Sequence, residues 1–168
     1  MNTVNDVNSL VDKPWHLYFD RSRSNEGAGV GCMLLDPAGN KFMLSCRLEF
    51  ICTNNMAEYE ALIQGLKKAL DLKVKVLIAF GDSEIIVRQV RNSIHCLSNH
   101  LQSYQREVWN LISALDAFNI ESIPHFQNQE ADLLENVASR LIPTENFSPN
   151  AFSIELLFRS SISDNITN

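Results

Sequence analysis

Hydrophobic and polar positions change period several times along the chain, and each change marks a new element. WHLYFD (15–20) alternates large side chains, and GAGVGCMLLDP (27–37) follows with a Gly-rich entry. KFMLSCRLEF (41–50) comes after the turn Asp36-Pro37-Ala38-Gly39-Asn40. Three strands joined by short links predict an antiparallel meander. The period then lengthens. Thr53-Asn54-Asn55 offers N-cap candidates, and Ala61, Leu62, Leu66, Ala69 and Leu70 recur at close to helical spacing across Ala57 to Leu70. VKVLIAF (74–80) is almost continuously apolar, as a central parallel strand would be.

Ser83 to Arg91 reads as a short helix and Leu101 to Phe118 as a longer one, with Leu101, Tyr104, Val108, Leu111, Ile112 and Leu115 on one side. NIESIPH (119–125) is the fifth strand. Asn128 to Leu141 reads as a last helix, capped by Asn128, with Ala131, Leu134, Ala138 and Leu141 aligned. The order β-β-β-α-β-α-α-β-α predicts an α/β fold, a mixed five-stranded sheet with helices on its faces. Residues 1–13 read as a polar leader and 14–142 as the domain. Residues 143–168 read as a flexible, Ser/Asn-rich linker carrying one apolar patch, FSIELLF (152–158).

Composition narrows the function. Hydrophobic residues make up 45% and charged residues 20%, enough to build a core and to exclude wholesale disorder. No run approaches the roughly 18 apolar residues of a membrane span, and the start has neither signal-peptide nor transit-peptide character. A net charge of −6 argues against a basic nucleic-acid-binding surface, but leaves open a route to phosphates through bound divalent metal. Cys32, Cys46, Cys52 and Cys96 form no C-x-x-C pair. They read as reduced thiols of an intracellular protein, with cytosol or nucleus as the default, and not as zinc ligands.

Four carboxylates fall at element ends. Asp20 closes the first strand and Asp82 the fourth; in open α/β sheets ligands collect at the carboxyl ends of strands. Glu58, in the first turn of its helix, shares the face of Leu62 and Ala69, where a charge is out of place unless something binds it. Asp132 opens the last helix. Each has a plainer reading alone. Asp20 fits a turn, Glu58 a capping box with Asn55, Asp82-Ser83 a helix N-cap, and Asp132 a helix-dipole partner. Four acids gathered in one place would repel unless hard divalent cations neutralised them, and Mg²⁺ with few carboxylates points to phosphoryl-transfer chemistry.

Together LYFDRS (17–22), GAGVGCMLLDPAGN (27–40), TNNMAEYEALIQGLKKAL (53–70), FGDSEIIVRQV (80–90) and IPHFQNQEADLLENVAS (123–139) resemble the ribonuclease H domain. The form is that of plant long-terminal-repeat retroelement polyproteins, and the resemblance covers roughly residues 14–141. It implies an endonuclease that hydrolyses the RNA strand of RNA–DNA hybrids with two Mg²⁺ ions, Mn²⁺ being an alternative. By that resemblance Asp20 bridges both ions, Glu58 and Asp82 complete one site, and Asp132 helps hold the other. Asn54, Asn55, Arg21 and Ser83 would face the nucleic acid. Reverse transcriptase and integrase regions of a parent polyprotein are implied partners. Three positions depart from the pattern: Arg21 replaces a usual Gly, Glu84 a common Gln, and Ser122 a common His. They favour an alternative, a catalytically weak or inactive relic that binds nucleic acid or connects polymerase and integrase regions.

Overall fold

The computed structural model describes residues 13–24, 27–95, 98–124, 151–157 and 159–162. Strands β1 (Trp15–Ser24), β2 (Gly27–Leu35) and β3 (Lys41–Leu48) form the expected meander, each antiparallel to the next. The β2–β3 turn is tied by Asp36, whose Oδ1 accepts from the backbone N of Ala38 at 3.0 Å and of Asn40 at 2.8 Å. Gly39 sits there at φ +94°, in the left-handed region that lacks a steric penalty only for glycine.

Helix α1 (Asn54–Asp71) follows, with Thr53 as its N-cap; the Thr53 hydroxyl accepts from Met56 N at 3.2 Å. Strand β4 (Val76–Gly81) lies parallel beside β1. Helices α2 (Glu84–Val90) and α3 (Asn99–Ile112) lead to β5 (Ala117–Ser122), parallel to β4. The five strands stand in the order 3-2-1-4-5, a mixed sheet as the sequence predicts.

Strand β1 runs past Asp20 to Ser24, and β5 spans Ala117–Ser122 in place of 119–125. Two further differences are larger. The third helix stops at Ile112 and not at Phe118, although buried Leu115 prolongs its apolar stripe. The Lys75 carbonyl accepts from the backbone N of Asp116 and Ala117, at 2.8 and 3.2 Å, and turns the chain into β5. The second difference is a sixth strand, β6 (Ala151–Leu157), drawn from the stretch expected to be linker. It pairs parallel with β3, from Phe42↔Ala151 to Leu48↔Leu157. Beyond it, Ile162 is buried in the main core. Ser161 donates through its backbone N to Glu60 Oε1 at 2.8 Å, and its hydroxyl donates to Glu60 Oε2. Tyr104 donates to the same buried carboxyl at 2.6 Å. Burial, then the neighbouring Glu60 charge, pushes the Tyr104 phenol well above its ordinary value.

The core lies between α1 and the sheet. Leu17 and Phe19 point into it from β1, and Leu62, Leu66 and Ala69 meet them from α1. Alternation puts Tyr18 on the other face, in a small cluster with Met33 and Met43. Tyr59 ties three helices together: its ring stacks on Tyr104 at 5.7 Å and its hydroxyl donates to Gln89 Oε1 at 2.7 Å. Trp15 stacks on Phe42 at the core margin, and the Trp109 indole donates to the Val90 carbonyl at 2.9 Å. These aromatics serve packing and hydrogen bonding within the fold. Cys32, Cys46 and Cys52 are free, buried thiols, as expected; Cys96 lies outside the described residues.

Candidate active site

Register alone brings two of the four predicted acids together. In the β1–β4 ladder Trp15 faces Leu77 and Tyr18 faces Phe80. The same offset carries Asp20 opposite Asp82, just past the last residues that β1 and β4 pair; Asp82 follows the end of β4, whereas Asp20 does not close β1 as expected, because β1 stays paired with β2 as far as Ser24. Gly81 makes room for this end of the sheet: a Cβ there would lie 2.5 Å from Cζ of the fully buried Phe19 ring.

The helix supplies the third acid. A Cβ at Gly65 would stand 2.6 Å from Leu17 Cδ1, so only glycine lets α1 approach β1 this closely. Glu58 lies two helical turns before Gly65, about 10 Å along the axis. Asp20 lies three residues after Leu17, also about 10 Å along the strand. Those equal advances set Glu58 over Asp20. One carboxylate oxygen from each of Asp20, Glu58 and Asp82 falls within 4.8 Å of the other two. Asp20 is 2% exposed and Glu58 4%, while Asp82 is half-buried.

The structure decides between the readings left open by the sequence. Glu58 is the fifth residue of α1, not a first-turn residue, and the capping role belongs to Thr53. Ser83, not Asp82, caps α2, accepting from Ile86 N at 3.4 Å. Neither acid is therefore the N-cap of its helix. Asp132 and its helix lie outside the described residues, as does His125. Among the residues expected to face nucleic acid, Asn54 is exposed at the start of α1 and Asn55 half-buried beside it. Ser83 is half-buried, and Ser122 is exposed on β5. Glu84 is paired on the surface with Arg88 at 2.7 Å, so its added charge is locally offset. Lys67, Lys73 and Lys75 are exposed and Lys68 half-buried, as a solvated face requires.

Arg21 enters the cluster in a way the sequence did not reveal. Its backbone N donates to Asp20 Oδ1 at 2.8 Å, and its Nε stands 3.4 Å from Glu58 Oε1. Nε makes no hydrogen bond among the described residues, so the contact with Glu58 is Coulombic. The one signal was the adjacency of Arg21 to Asp20, one of the four predicted acids.

Electrostatics favour a cation. Burial raises the Glu58 carboxyl to about 9, and the charges of Asp20 and Asp82 push the same way; Arg21 opposes them. Glu58 Oε2 is buried with no hydrogen-bond partner among the described residues. A buried carboxylate oxygen left so, beside two further carboxylates, suits a hard divalent ion with oxygen ligands.

The family model described as reverse transcriptase-like matches residues 19–138. Ribonuclease HI of Halobacterium salinarum is 32% identical over 125 residues, covering 73% of this chain and 63% of that protein. A bifunctional protein of Mycobacterium tuberculosis is 32% identical over 120 residues, 70% of this chain and 33% of its own length. The chain thus spans less than two thirds of these curated relatives. The crystal structure of RNase H1 from H. salinarum superposes with a TM-score of 0.67 at 27% identity, covering 75% of this chain and 97% of that one. LC11-RNase H1, from a compost metagenome and solved in complex with an RNA/DNA hybrid, superposes with a TM-score of 0.68 at 27% identity, covering 76% and 97%.

Proposed function

The chain belongs to the reverse transcriptase-like family, and we propose that it is a metal-dependent ribonuclease that hydrolyses the RNA strand of RNA–DNA hybrids. The observation that carries this reading is the convergence of Asp20, Glu58 and Asp82, with the buried Glu58 Oε2 turned toward no other donor among the described residues. Homology to ribonuclease HI enzymes supports it, as does a structural relative bound to an RNA/DNA hybrid.

In this reading Asp20, Glu58 and Asp82 hold divalent metal, with Asp132 as a fourth ligand. Two bound Mg²⁺ or Mn²⁺ ions would supply charge to activate the attacking water and to stabilise the leaving 3′ oxygen. The protein's part is positioning. β1 holds Asp20 within a paired strand, β4 ends just before Asp82, and the Gly65 contact fixes Glu58 above them. Asn54 and Asn55, at the start of α1, would reach the minor groove of the hybrid, where the 2′-OH tells RNA from DNA. Ser83 and Arg21 would face the phosphate backbone. We also propose an origin in a retroelement polyprotein, the domain connecting polymerase and integrase regions.

The test is a hybrid with a labelled RNA strand, incubated with Mg²⁺ or with chelator, beside Asp82→Asn. Metal-dependent cutting of RNA in the hybrid, lost in the variant, is expected. Equal cutting of single-stranded RNA or duplex DNA would exclude hybrid specificity. A second reading, a relic that binds hybrids without cutting them, is favoured by Arg21 standing against Glu58; metal-independent binding with no cleavage would establish it.

A further inference from the structure

The guanidinium of Arg21 already holds a position against Glu58 that a metal ion would contest. Its Nε is 3.4 Å from Oε1, and no other ion pair to Glu58 occurs among the described residues. The backbone of Arg21 is anchored, since its N–H is committed to Asp20 Oδ1. Its side chain is not enclosed, being 32% exposed, while that of Glu58 is 5% exposed. The arrangement is thus a fixed buried acid with a permanent positive charge that can swing toward solvent. The pairing is Coulombic and lacks a hydrogen bond from Nε, so little directional bonding is lost when it opens.

We propose that Arg21 is a built-in counter-cation that competes with divalent metal for Glu58, raising the free metal concentration at which the site fills. This rests on the metal-site reading above and deepens it. In the metal-free protein Arg21 stands against the acidic cluster; when metal fills the site and Glu58 ionises, the Arg21 side chain turns outward. An arginine lodged beside a doubly charged ion repels it, and at a protein-like effective dielectric one such charge is worth about a tenfold change in affinity or more.

The experiment is calorimetric titration of the full chain with Mn²⁺ and with Mg²⁺, without nucleic acid. Arg21→Gly removes charge and bulk, Arg21→Gln removes charge and keeps most of the bulk, and Arg21→Lys keeps the charge. Gly and Gln variants are expected to bind metal about tenfold more tightly, with Lys close to wild type. Unchanged affinity in the Gly and Gln variants would overturn the proposal while leaving the metal site standing. Tighter binding by Gly alone would make Arg21 a steric obstacle and also overturn it. No binding by any of the four proteins would remove the metal site and this proposal together. A circular dichroism melt of each variant confirms that the proteins compared are folded.

Discussion

Replacing Glu58 by Gln should make the metal-free protein more stable, and increasingly so as pH rises. The folded carboxyl is raised to about 9, first by burial and then by Asp20 and Asp82. In the unfolded chain it titrates near its ordinary value of 4.5. Folding therefore takes up a proton throughout that window. The stability linked to this proton is fully present below pH 4.5 and is lost as pH rises toward 9. The loss is about 1.4 kcal/mol per pH unit, so moving from pH 6 to pH 8 removes about 3 kcal/mol. Gln keeps the shape and has no proton to exchange, so titrating groups remote from the cluster cancel in the difference between the two proteins. Urea unfolding at pH 6, 7 and 8 in chelator should show the variant gaining on wild type by about 3 kcal/mol across the range. Parallel curves for the two proteins would refute a strongly raised Glu58. Saturating Mg²⁺ should raise wild-type stability at pH 8 and do much less for the variant, because bound metal restores the carboxylate.

Other perturbations read other parts of the account. Gly81→Ala places a methyl 2.5 Å from the buried Phe19 ring and should cost about 1–3 kcal/mol by urea unfolding, with loss of metal affinity as the strand end shifts; unchanged stability would mean that Phe19 has room to move. Ser161→Ala removes a hydroxyl donor from the buried Glu60 carboxyl and should destabilise by about 1–3 kcal/mol, with Tyr104→Phe similar. Since Ser161 and Tyr104 share Glu60, the double variant should lose less or more than the sum of the singles, measured by a double-mutant cycle; strict additivity would indicate independent contacts.

Asp20 and Asp82 were legible because each follows an apolar run that reads as a strand, although β1 continues past Asp20 to Ser24, and parallel pairing then needs only one register. Glu58 was legible as a charge on an otherwise apolar helix face, between Ala57 and Leu62. The antiparallel meander followed from the short links between the first three strands, while the full strand order came only with the structure. What escaped was non-local. Glu60 looks like one more helix-surface glutamate, since its partners Tyr104 and Ser161 come from distant parts of the chain. Strand β6 pairs with β3 across more than a hundred residues, and seven residues rich in apolar side chains suit a strand or a linker patch equally well. The end of α3 escaped because Leu115 continues the stripe while the Lys75 carbonyl, on another element, redirects the backbone. Gly65 carries no pattern of its own, and only Leu17 packed beneath it explains the residue.

A cation seated among Asp20, Glu58 and Asp82 would be located by anomalous diffraction from crystals soaked in Mn²⁺. A manganese peak within bonding distance of oxygens from all three residues is expected, absent in Glu58→Gln or Asp82→Asn. Manganese found only elsewhere on the protein, with these three carboxylates bare at saturating concentration, would contradict it.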